Sequence, residues 1–166
     1  MKGQAEVVIF ILLFLIGLTL FSSATIWGKG IFEENVGFNK LEAAEKFMKD
    51  LDSGITNVIK FGGMREINFP LEGTIELLDP ETIEVRIPIS ISIQENWINI
   101  SESGSYIMER KEGSDLVLRL VYPMGSYKVI FFTDGSSLAQ PDYIRLEKNS
   151  TFQSYPPMIK IKITFV

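Results

Sequence analysis

The alternation of apolar and polar residues changes period twice along the chain. From Val7 to Trp27 the sequence VVIFILLFLIGLTLFSSATIW carries no charge. As a helix it would be about 30 Å long, the thickness of a bilayer's hydrocarbon core. A helix of a soluble core would show a polar face over that length, and this segment has none. Val7, Phe10, Leu13, Phe14 and Leu20 are therefore expected to anchor it in lipid, with Trp27 at headgroup level. Beyond it, Gly28 and Gly30 are expected to loosen or bend the chain. From residue 35 to residue 61 the period is helical and amphipathic: Leu41, Ala44, Met48, Leu51, Ile55 and Val58 form one stripe, widened by Phe47 and Ile59. Gly62-Gly63 is a stop signal.

After Gly63 the period falls to two. Ile83, Val85, Ile87, Ile89, Ile91 and Ile93 alternate with polar residues and Pro88, predicting a long half-buried strand. Proline gives no ladder hydrogen bond, so this strand is expected at an edge or with a bulge at Pro88. Leu116, Leu118, Leu120 and Tyr122 predict a second strand, with Arg119 on its other face, and residues 158–166 a third. Shorter strands are expected at 64–69, 74–78, 106–111, 127–133 and 143–147, separated by turns at Asp79-Pro80, Glu112-Gly113, Pro123-Met124-Gly125 and Asp134–Ser137. The predicted fold class is α+β. A long apolar helix continues into an amphipathic one, packed on a C-terminal antiparallel sheet or small sandwich.

Composition narrows the chemistry. The chain has 166 residues, a net charge of −5, no cysteine and no histidine. An acidic chain without a basic stripe argues against nucleic-acid binding. The missing residues remove disulfides, thiolate chemistry and the commonest general base and metal ligand. Glu81 and Glu84 are carboxylates of a hard-cation type, read here as solvated turn charges. Asp134-Gly135-Ser136-Ser137 reads as a turn, and no serine sits in a nucleophile elbow. No catalytic residue, metal site or cofactor is expected, and the chain is read as non-enzymatic. Asn99-Ile100-Ser101 and Asn149-Ser150-Thr151 match the N-glycosylation signal, so Asn99 and Asn149 are candidate acceptors in a domain outside the membrane.

The N-terminal segment has three readings. A removable secretory signal would be cut after Ala24, and a plain signal anchor would not be cut at all. The third reading rests on Lys2-Gly3-Gln4-Ala5-Glu6-Val7-Val8, which resembles the class III signal peptides of archaeal type IV pilin-like proteins. The resemblance covers about the first twenty-seven residues, and its specific part is Lys2, Gly3, Gln4 and Glu6. It implies cleavage between Gly3 and Gln4 by a prepilin peptidase, with the apolar helix retained to form a filament spine. Four regions follow: a leader at 1–3, a membrane or spine helix at 4–27, an amphipathic helix at 28–63, and an extracytoplasmic β head at 64–166. The family usually places an acid at mature position five. Glu6 would be mature position three, which alters the register of any pairing with a neighbour's amino terminus.

Two functions are therefore expected in order. The first is a structural subunit, major or minor, of an archaeal type IV pilus-related filament, working with other pilin-like subunits and the assembly machinery. The second is a single-span, membrane-anchored β-domain binding module that forms no filament. Both place the chain in the cell membrane with its C-terminal domain outside.

Overall fold

The computed structural model describes residues 2–101, 105–123 and 125–166, with side chains from Val7 onward. One helix, α1, runs from Lys2 to Phe61, 60 residues without interruption. At about 1.5 Å per residue it is about 90 Å long. The expected bend at Gly28 and Gly30 is not found. Both are helical and a Cβ at either would meet nothing within 4 Å, so no packing constraint bends the chain there. The helix ends where expected. Gly62 and Gly63 take φ of 72° and 80°, a backbone that side chains disfavour, and the Gly62 amide still donates to the Val58 carbonyl at 2.9 Å.

Ten strands follow among the described residues: β1 (Met64–Asn68), β2 (Thr74–Asp79), β3 (Thr82–Pro88), β4 (Ile98–Asn99), β5 (Tyr106–Glu112), β6 (Asp115–Val121), β7 (Lys128–Phe132), β8 (Leu138–Ala139), β9 (Tyr143–Phe152) and β10 (Met158–Phe165). They form two sheets, ordered β1-β9-β10-β7 and β4-β5-β6-β3-β2-β8. The chain is thus α+β, as the periodicities predict, but with two sheets against one helix. One pairing departs from the antiparallel expectation: β7 and β10 run parallel, Met158 opposite Lys128. Between them the chain joins the other sheet at β8 and returns through β9, so it re-enters alongside β7 in the same direction.

Pro88 resolves differently from either alternative drawn from the sequence. It closes β3, a central strand between β6 and β2, and β2 pairs no further than Arg86. Pro88 therefore faces Asp115 on one side and needs no partner on the other. The alternation outlives the strand, since Ile89 and Ile91 stay buried in the segment that follows.

The amphipathic stripe of α1 makes the centre of a single core. Ala44, Phe47, Met48, Leu51, Ile55, Val58 and Ile59 pack with Ile83, Val85, Leu116, Leu118 and Leu120 of one sheet and Phe131, Ile144, Leu146 and Ile161 of the other. Aromatic rings knit the pieces together. Tyr122 meets Phe131 edge-on at 5.6 Å, joining the sheets, and Phe47 meets Phe69 at 5.1 Å.

Candidate functional site

The first half of α1 is a continuous unpartnered surface. Every side chain from Val7 to Val36 is exposed, including Val7, Phe10, Leu13, Phe14 and Leu20; Phe14 is 62% exposed and Trp27 73%. This is the one helix among the described residues long and apolar enough to cross a membrane, and none of its most apolar stretch is buried in the head. A free helix of this length in water would leave a large apolar area hydrated, so the surface calls for a non-aqueous neighbour. Its polar atoms suit that environment. Thr19, Ser22 and Thr25 each donate their hydroxyl to a carbonyl of the preceding turn at 2.8 Å, so these donors are satisfied without water. Gly3, Gln4 and Glu6, on which the cleavage and assembly readings rest, are helical in backbone, and the side chains of Gln4 and Glu6 lie outside what the structure describes.

The helix passes from free to packed over about ten residues. Lys29 and Glu33 pair one turn apart at 3.6 Å, marking the first charges beyond Trp27. The Glu33 carbonyl accepts from Ser90 at 3.4 Å, and Gly37 lies directly under Ile91. About two turns beyond Glu33, Lys40 reaches Glu72 at 3.1 Å. From this point the stripe is covered by the sheets.

The head carries three polar arrangements. On the outer face of the larger sheet, Glu84 is 1% exposed and sits between two guanidiniums, Arg86 Nε and Arg119 Nε, each at 2.6 Å. The Trp97 ring lies 4.6 Å from Arg119 and 4.4 Å from Arg110, so one indole stacks against two cations. Glu112 links the cluster by accepting from Arg110 at 3.1 Å and Arg86 at 3.4 Å. The sequence reading of Glu84 as a solvated turn charge is therefore wrong: it is buried and doubly paired. Glu81 forms a separate pair with Lys128 at 2.6 Å. These two carboxylates are not brought together, and among the described residues no group of three or more acids suits a metal ion.

Where β6 ends, Tyr122 donates its hydroxyl to the Asp52 carboxylate of α1, at the wall of an open crevice of about 390 Å³ also lined by Thr56, Lys60, Ser105 and Tyr127. Burial, and then the hydrogen bond to Asp52, push the Tyr122 hydroxyl well above the ordinary phenol range. On the helix-facing side of β5, Glu109 is buried with its Oε2 lacking any hydrogen-bond partner. Burial raises its carboxyl above the usual range, and the nearby Glu45 on α1 adds to the rise.

Both candidate glycan acceptors are exposed and lie on different sheets. Asn99 ends β4 at the edge of the larger sheet, whereas Asn149 lies within β9 of the smaller one. The turn at Asp134 is tied by an ion pair to Lys162 of β10. Sequence periodicity found the apolar helix but missed the Glu84 cluster and the Tyr122–Asp52 contact. The signal available for the first was a lone tryptophan in a polar stretch, flanked in the fold by arginines that the sequence places on two different strands.

A long, apolar N-terminal helix whose second half is wrapped by β-sheets defines a pilin-like architecture with one candidate membrane-spanning segment, consistent with single-pass anchoring. No family model, no curated protein and no solved structure matches the chain.

Proposed function

We propose that this chain is a non-catalytic, structural subunit of an archaeal type IV pilus-related surface filament. In this reading it is anchored in the membrane by residues 4–27 before assembly, with the head outside. The observation that carries the reading is the division of α1. One unbroken helix exposes apolar residues on every side up to Val36 and is packed by its own head from Gly37 onward. Such a rod serves equally well in lipid and in a bundle of like helices, because both offer an apolar surround. The Lys2-Gly3-Gln4 start adds a reason to expect that the helix leaves the bilayer, since cleavage there spares it.

Two measurements test this. The mature amino terminus of protein from native membranes is expected at Gln4; Met1 would leave a plain anchor, and Thr25 would show that the helix is discarded. Sheared surface filaments are expected to contain the chain, and recovery only as a detergent-extracted monomer would reject assembly. Glu6→Ala is expected to abolish filaments while leaving cleavage intact.

A further inference from the structure

We propose that Asn99 is the acceptor for an N-linked glycan and that Asn149, which carries the same tripeptide signal, is largely unused. The inference rests on the reading that the head lies outside the membrane. The signal itself does not separate the two, and neither does exposure, since both asparagines face solvent. What separates them is how firmly the fold holds each tripeptide. A transferase must take the tripeptide into its own site, so any hydrogen bonds the fold makes there have to be surrendered.

At Asn99 little is surrendered. The strand β4 has two residues, lies at the outer edge of its sheet, and pairs only with β5. Within the tripeptide the chain already turns. The Asn99 Oδ1 accepts from the Ser101 amide at 3.0 Å and from the Ser101 hydroxyl at 2.7 Å. The amide oxygen is thus engaged locally, and its Nδ2 has no hydrogen-bond partner among the described residues. Beyond the β4 pairing, one cross-strand bond holds the segment, from the Ile100 amide to the Ile107 carbonyl at 2.8 Å.

Asn149 is held differently. It sits inside β9, ten residues long, whose neighbours on both sides are in register with β10: Lys148 with Ile161, Ser150 with Lys160 and Thr151 with Ile159. The register skips Asn149 itself, which makes it a bulge with a reachable side chain. The tripeptide nevertheless cannot leave without stripping the end of the β9–β10 hairpin.

The reaction requires a lipid-linked oligosaccharide phosphate as co-substrate. The Asn99 Nδ2 forms a bond to the anomeric carbon, and the bond from that carbon to the phosphate oxygen breaks. The phosphate leaves with the electron pair, and one Nδ2 proton is lost to a base of the transferase.

Trypsin separates the two positions, leaving Asn99 in the peptide 87–110 and Asn149 in 149–160. Mass spectrometry of protein from native membranes should show glycan mass on the first and little on the second. Ser101→Ala should abolish that mass, and Ser101→Thr should keep it. Equal or greater occupancy at Asn149 overturns the inference. So does an unmodified 87–110 peptide when trypsin applied to intact cells releases head peptides, a result that leaves the filament reading standing. If intact cells release no head peptide, the outward placement fails and this inference falls with it.

Discussion

The Tyr122 hydroxyl donates to the Asp52 carboxylate and lies 3.3 Å from the Asp52 carbonyl oxygen, which fastens the end of β6 to the packed half of α1. Removing the donor in Tyr122→Phe leaves a half-buried carboxylate short of a partner, and should lower stability by about 2 kcal/mol. The pH dependence has a definite sign. The folded-state pKa of Tyr122 lies above the unfolded value of about 10, so its contribution is complete below that pH and declines as pH rises. Denaturant titrations of the detergent-solubilised chain should show wild type losing stability above about pH 10 more steeply than Tyr122→Phe. Parallel curves would reject the assignment.

Glu109 provides the complementary test. Its carboxyl is raised by burial and then by Glu45, so the folded state favours the protonated form. That preference costs nothing below the unfolded pKa of about 4.3 and weakens the fold as pH climbs through the raised folded value. Glu109→Gln should match wild type near pH 4 and exceed it at pH 7. Thermal melts across that range check the divergence, and a constant offset would contradict it.

Glu84 is a buried carboxylate with both of its guanidinium partners in place. Glu84→Ala would leave Arg86 and Arg119 facing each other without their shared carboxylate, at an expected loss of about 3 kcal/mol. Arg119 also stacks on Trp97, so the indole emission should shift even in the folded protein. Placing the substitution on a Trp27→Phe background isolates that signal, since the chain has two tryptophans. An unchanged spectrum would show that the stack does not depend on the carboxylate.

The glycines of α1 should respond to alanine in two ways. At Gly28 and Gly30 the added methyl meets nothing, so helix propensity alone acts and each variant gains about 1 kcal/mol. At Gly37 a Cβ would come within 2.3 Å of Ile91 Cγ2, a branched and buried side chain with little freedom to yield. Overpacking of about 1–3 kcal/mol outweighs the propensity gain there. Gly37→Ala should therefore lower the melting temperature of the head, and adding Ile91→Ala should cost less than the separate effects predict. Hydrogen exchange over residues 27–33 and thermal melts report the two regions.

The elements were legible because burial leaves a period behind. The stripe from Leu41 to Val58 and the alternation from Ile83 to Ile93 each mark a face that the core covers. Pairing across the sheets leaves no such trace, which is why the parallel alignment of Met158 with Lys128 was not foreseen. The same holds for Glu84. A polar residue alternating with apolar ones reads as solvent-facing, and only the convergence of Arg86, Arg119 and Trp97 takes it out of water. For the free half of α1 the unbroken apolar run identified the surface, while nothing in a local pattern told that Gly28 and Gly30 would be carried straight through.

The continuity of α1 makes the azimuth of the head a matter of counting residues. With no joint between Trp27 and Gly37, each residue inserted there would rotate the β-sheets by about 100° around the rod and raise them by about 1.5 Å. One added alanine would thus swing the head through about a quarter of the circle around the rod. Seven would bring it back to nearly the same bearing, about 10 Å higher. Any partner that meets both the rod and the head reads their angular phase as much as their chemistry.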